Sequence, residues 1–217
     1  MRIDTFPPFW YNGRTERGIF MPKTRKRRKK KQLDLRRILI IFGSAALVLF
    51  VTILLIPTQK GYDDFLDALG FRESTDNYAL VNSYGYMGRY QMGGEALEEA
   101  GFKDAEGNWT ELANSYGIYS KEDFLNCPEG QDYAIAAYHK VVCRYIRAYD
   151  LEQYIGTTYC GVKVTRSGLL AGCHLVGIGS MKKALASGEP SYDGYGTPAS
   201  EYLELFGGYN IRKVWKE

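Results

Sequence analysis

The apolar and polar positions of this chain fall into two unlike patterns. Residues 38–56 read Ile-Leu-Ile-Ile-Phe-Gly-Ser-Ala-Ala-Leu-Val-Leu-Phe-Val-Thr-Ile-Leu-Leu-Ile, nineteen positions without a charge. At about 1.5 Å rise per residue they span roughly 28 Å, enough to cross a bilayer. From residue 60 onward the apolar positions instead recur at three- and four-residue spacing. The spacing predicts a helix over 63–72 through Phe65, Leu66, Leu69 and Phe71, and another over 92–100 with Gly101 as its stop. Ser120 reads as a helix start and Pro128 as a first-turn residue. A long amphipathic helix follows, carrying Ala134, Ala137, Tyr138, Val141, Val142, Tyr145 and Tyr149. Residues 167–175 and 179–187 form two helical pieces broken at Gly177 and ended by Gly188, and 197–205 form a last helix stopped by Gly207 and Gly208. No alternating strand pattern stands out, and 82–92 is read as a short irregular hairpin. The expected fold class is mainly α: one transmembrane helix and one globular domain.

Charge sharpens this division. Residues 1–37 hold 13 Lys/Arg and 3 Asp/Glu, a net of +10, whereas 38–217 hold 15 and 22, a net of −7. The expected organisation is a disordered basic cytoplasmic arm (1–37), a signal-anchor helix (38–56), a linker (57–61) and a globular domain (62–217). By the positive-inside rule the basic flank stays in the cytoplasm and the domain faces outward. This makes the chain a single-pass membrane protein with its N-terminus in the cytoplasm, its domain outside and the lipid bilayer as one partner. The run is too long, and lacks a small-residue cleavage site, for a cleaved signal peptide. Lys/Arg fill eight of the nine positions 23–31, a pattern also seen in nucleic-acid binders. An acidic domain repels DNA, so no nucleic-acid partner is expected.

Four cysteines, Cys127, Cys143, Cys160 and Cys173, all follow the apolar run. An even count in an exported domain favours disulfides, with sequence neighbours paired; buried free thiols are the alternative. Neither His139 nor His174 has metal-ligand spacing, so no metal and no cofactor are expected.

The candidate chemistry lies in residues 72–93. Glu73 follows an apolar run that includes Leu69 and Phe71, and a loop rich in Gly, Tyr, Asn and Gln comes after it. Cleaving a glycosidic bond requires a proton for the leaving oxygen, and an apolar setting favours the proton-carrying form of a carboxylic acid. The bland alternative is a solvated helix-end carboxylate paired with Arg72.

Glu73-Ser74, Gly88-Arg89-Tyr90-Gln91 and the block from Ala171 through His174 to Gly179 resemble the lysozyme-like superfamily, specifically soluble-lytic-transglycosylase-type domains. A bacterial and phage subgroup reading E-S-x-x-x-Y-x-x-V-N-x-x-G-Y-x-G-x-Y-Q-x-G is similar, with a later Asp193-Gly-Tyr-Gly-Thr, Tyr202 and Phe206-Gly-Gly-Tyr. The likeness covers roughly residues 62–210. It implies a lysozyme-like α+β domain with few or no strands that cleaves peptidoglycan between N-acetylmuramic acid and N-acetylglucosamine, with Glu73 as general acid and then base. Gln91 is expected to bond the substrate, Gly88 to let backbone approach it, and His174 to take the place of the superfamily's cleft tyrosine. Tyr86 and Tyr90 are expected to be part core and part cleft wall. Gln91 could instead hold a loop, and His174 could be a core histidine.

A lytic transglycosylase needs no second carboxylate, because the substrate's C6 hydroxyl attacks to leave a 1,6-anhydro end. A muramidase with two carboxylates would need Asp76 or Asp193. The resemblance implies glycan strands and an envelope-spanning assembly as partners, and a bacterial cytoplasmic membrane with the domain in the periplasm or extracellular wall space as the location. The non-enzymatic alternative is a wall-binding scaffold.

Overall fold

The computed structural model describes residues 59–216, together with Phe42. The chain divides into two compact units, Met1–Ile56 and Pro57–Glu217. The basic arm and, apart from Phe42, the expected membrane span lie outside the described residues. Among the described residues no helix is long and apolar enough to cross a membrane.

The second unit is mainly helical. Its elements are α1 (Tyr62–Ser74), α2 (Gly94–Glu99), α3 (Glu111–Ser115), α4 (Lys121–Leu125), α5 (Pro128–Ala148), a 3-10 turn (Leu151–Tyr154), a hairpin of β1 (Thr158–Tyr159) and β2 (Val162–Lys163), α6 (Arg166–Ser187), α7 (Ala199–Leu205) and α8 (Arg212–Trp215). The two strands are antiparallel, with Thr158 opposite Lys163 and Tyr159 opposite Val162. Residues 81–92 form a doubled-back loop held by the bridges Val81–Met87 and Met87–Met92.

Local chemistry sets the boundaries. The Ser120 side chain caps α4 by accepting from the Asp123 amide. Pro128 occupies the first turn of α5. Gly188 ends α6 in the left-handed conformation. Gly177, at φ 77° and ψ 155°, breaks α6 where the sequence predicted. The Phe71 ring departs from expectation: it is turned outward and 63% exposed. The apolar body of α1 is instead Tyr62, Phe65 and Leu69.

The central element is α5, which packs against α2, α4, α6, α8 and the 3-10 turn. Being surrounded, it buries more than one stripe: Ala134, Ile135, Val142, Cys143 and Ile146 all lie inside, with the polar Gln131 and His139. Helix α7 lies tightly on α6. Small residues permit that approach. A Cβ on Gly168 would come within 2.5 Å of the Leu203 carbonyl oxygen, and one on Gly172 within 2.6 Å of the Leu203 side chain. The seat of α7 therefore depends on two glycines one helical turn apart.

All four cysteines are free thiols, which corrects the expected disulfides. Cys127 caps α5 with its sulfur, and Cys143 lies in the body of the same helix. Sixteen residues of helix separate them by about 24 Å, far beyond the reach of a disulfide. Cys160 is exposed in the hairpin turn, whereas Cys173 is buried. Burial pushes the Cys143 thiol up to about 12 and raises that of Cys173 as well. Both behave as small core hydrophobes.

Candidate functional site

Glu73 stands one residue before the end of α1. Its neighbour Ser74 fastens the helix end. The Ser74 hydroxyl donates to the Arg89 carbonyl at 2.8 Å and accepts from the Asn77 amide at 2.9 Å. Arg72 turns away, pairing with Glu201 and lying over the Tyr202 ring. Glu73 is thus not paired with Arg72, and its side chain is only 13% exposed.

The Tyr202 hydroxyl donates to Glu73 Oε1 at 2.8 Å. Burial, and then the Glu73 charge, raise the Tyr202 pKa, so this phenol keeps the proton it donates. His174 approaches from α6. Its Nε2 lies 3.7 Å from Glu73 Oε1 and 3.2 Å from the Tyr90 carbonyl oxygen. A carbonyl only accepts, so Nε2 carries the hydrogen and Nδ1 bears a lone pair. That Nδ1 is buried and has no partner. Burial lowers the His174 pKa against the opposing pull of Glu73 and the Tyr90 carbonyl.

Behind it, His139 packs edge-on with ring centroids 5.7 Å apart. The Tyr62 hydroxyl lies 2.9 Å from His139 Nδ1, and His139 Nε2 is buried without a partner. Burial, then His174, drive the His139 pKa well below its ordinary value. Both imidazoles are therefore held neutral.

Two adjoining clefts of about 560 and 520 Å³ share Tyr84, Tyr86, Gln91, His174, Leu175, Asp193 and Gly194 in their walls. Glu73, Asn82, Tyr195 and Tyr202 belong to the first, and Tyr138 and Tyr192 to the second. Two loops meet at this shared lining. The Tyr84 hydroxyl donates to the Gly194 carbonyl at 3.0 Å, and Ser83 Oγ and the Tyr195 hydroxyl share a hydrogen bond of 2.9 Å. The rings of Tyr84 and Tyr195 pack edge-on with centroids 4.8 Å apart. Asn82 shapes the first loop by accepting from the amides of Tyr84 and Tyr86.

Several expected site residues lie elsewhere or have other partners. Gly88 does not line the clefts: it is buried at φ 76° against Gln131, whose Oε1 a Cβ at that position would meet at 2.0 Å. Its lack of a side chain lets Gln131 reach the Arg89 amide, which donates to it at 2.8 Å. Tyr90 is 1% exposed and donates to Asp132 at 2.8 Å, so only its backbone carbonyl reaches the site. Asp76 is paired with Arg89 at 2.8 Å and lies outside both clefts. Asp193 does line them, but its Oδ1 accepts from the amides of Tyr195 at 3.0 Å and Thr197 at 2.6 Å.

Gln91 takes the loop-holding alternative: its amide nitrogen donates to the Gly88 carbonyl at 2.8 Å, and the residue lines both clefts. Tyr86 and His174 line the same cleft as Glu73; Tyr86 is exposed rather than part of the core. Sequence reasoning missed the roles of Tyr202, Tyr84 and Tyr195. The signal for Tyr202 was its place in the closing block of the resemblance.

Chemically, the site offers a sheltered carboxylic acid with one phenolic donor, aromatic faces and amide hydrogen-bonders. Among the described residues no His/Cys/Asp/Glu group is arranged to hold a metal. Set against known proteins, the chain matches no family model, no curated protein and no solved structure.

Proposed function

We propose that this chain cleaves the glycosidic bond between N-acetylmuramic acid and N-acetylglucosamine in peptidoglycan, as a membrane-anchored lytic transglycosylase of lysozyme-like fold. The observation that carries the reading is Glu73: a carboxylate 13% exposed, at the wall of a cleft lined by tyrosines, Asn82 and Gln91. Tyrosine rings supply flat faces for sugars, and the amides supply hydrogen bonds to hydroxyl and acetamido groups.

In this reading protonated Glu73 gives its proton to the glycosidic oxygen as the bond from that oxygen to C1 of the muramic acid breaks. The anion left on Glu73 is held by the Tyr202 hydroxyl. The C6 hydroxyl of the same muramic acid then attacks C1 and returns its proton to Glu73, closing a 1,6-anhydro ring. No water is consumed and the acid is regenerated. Two features support this course over a two-carboxylate hydrolysis. Asp76 is paired with Arg89 away from the cleft, and an Asp193 oxygen is engaged by two backbone amides. Residues 38–56 anchor the enzyme with its domain outside the cytoplasmic membrane, where it opens the wall locally for an envelope-spanning assembly.

The test is mass spectrometry of products released from purified sacculi by the full chain in nonionic detergent. Anhydro ends are expected, and Glu73→Gln lowers their rate by about 10²–10⁴-fold. Reducing ends would identify a muramidase, and no products from the unaltered chain would leave a wall-binding scaffold.

A further inference from the structure

On another part of the same domain lies a cavity of about 630 Å³, among whose walls are Lys163, Arg166, Ser167, Asn210, Arg212 and Lys216. Four cations face it, and no described carboxylate lines it. That is unexpected for this domain, because residues 38–217 hold 22 Asp/Glu against 15 Lys/Arg. No carboxylate pairs with any of the four among the described residues. Concentrating like charge in one concavity costs energy unless a counter-ion occupies it.

The surroundings are built to the same sign. Thr165 and Arg166, the N-cap and first residue of α6, line the cavity together with Ser167. The first-turn amides of a long helix have no carbonyl to meet within it, and the dipole there favours an anion. Arg166 lies over the Trp215 ring at 5.7 Å, which limits where its guanidinium can point. Gly207 and Gly208 add backbone without side chains to its lining, Gly207 close to Thr165.

We propose that this cavity binds a phosphate-bearing group. Guanidinium pairs and lysines on a concave surface suit a tetrahedral dianion, and the volume leaves room for an organic arm on the phosphate. Two sources share this chemistry: a phospholipid headgroup and a free phosphate ester. Gln59, on the cavity wall, is the third residue after the apolar run 38–56.

The test is calorimetric titration of the full chain in nonionic detergent. The probes are inorganic phosphate, glycerol 3-phosphate, and short-chain phosphatidylglycerol beside short-chain phosphatidylcholine. Saturable binding at one site is expected, weakened about tenfold or more by Arg166→Gln with Arg212→Gln. Lys182→Gln with Lys183→Gln, away from the cavity, should leave it unchanged. If loss of the Arg166–Trp215 contact disturbs folding, Lys163→Gln with Lys216→Gln carries the same test, since both lysines are exposed. Binding of the small esters identifies a soluble phosphate ester as sufficient, and binding confined to the lipids identifies a headgroup. No saturable binding of any probe, or equal weakening by the Lys182/Lys183 change, overturns the proposal.

Discussion

Glu73 receives one direct hydrogen bond, from Tyr202, and has the His174 N–H close by. On the proposed function, the Tyr202 bond matters most once Glu73 has given up its proton, because a donor stabilises the anion more than the neutral acid. Tyr202→Phe should therefore slow cleavage by roughly 10- to 150-fold, the equivalent of about 1.5–3 kcal/mol. Circular dichroism and melting should show a folded protein. The histidines make a separate prediction. Both are buried neutral, with pKa values below that of the unfolded chain. Their contribution to stability is full above about pH 6.5 and is lost as pH falls towards the folded values. In that window the melting temperature should drop steadily, each histidine costing about 1.4 kcal/mol per pH unit. His139→Gln, which cannot titrate, should flatten the slope; a flat slope in the unaltered protein would contradict the neutral pair. Glu73 was legible in the sequence because a helix end and its polar loop are local features. Gly88 was not, because what it makes room for is Gln131, a residue on another element.

At the scale of elements, the position of Tyr202 depends on how α7 lies against α6. Gly168→Ala would drive a Cβ towards the Leu203 backbone. The expected outcome is a loss of about 1–3 kcal/mol of stability, with a larger fall in activity as Tyr202 is displaced from Glu73. Gly179→Ala, where nothing lies within 4 Å of the new Cβ, should do neither; chemical denaturation of both variants measures the difference. The longer helices could be read from caps, Pro128 and terminal glycines, since these are short-range physics. The hairpin at 158–163 could not, because strands of two residues carry no alternation to detect. Helix α5 was only half legible. Its sequence reads as amphipathic, yet neighbours on several sides bury Gln131 and His139 as well. The disulfide expectation failed for a related reason: counting cysteines takes no account of the helix that holds Cys127 and Cys143 apart.

Across the whole molecule, the order of Glu73, the 82–91 loop, His174 and the 193–202 segment could be read before their convergence could. Tyr202 comes 129 residues after Glu73, and packing of α7 on α6, together with Phe65 against Phe206, brings them together. The contact of Tyr84 with Gly194 and Tyr195 has a consequence for traffic along a polymer. On the proposed function, a glycan strand lying beneath that contact would leave by sliding lengthwise rather than by lifting away. On the proposed function, one enzyme then makes several successive cuts on a strand before letting go. Tyr84→Ala combined with Tyr195→Ala should make the action dispersive, so that early products shift from short fragments of few strands to long fragments of many. Chromatographic sizing of products at low conversion distinguishes the two, and identical early profiles would mean that the span does not retain the strand. On that function the two tyrosines would govern residence time: how much of the wall is opened at one spot before the enzyme moves to the next.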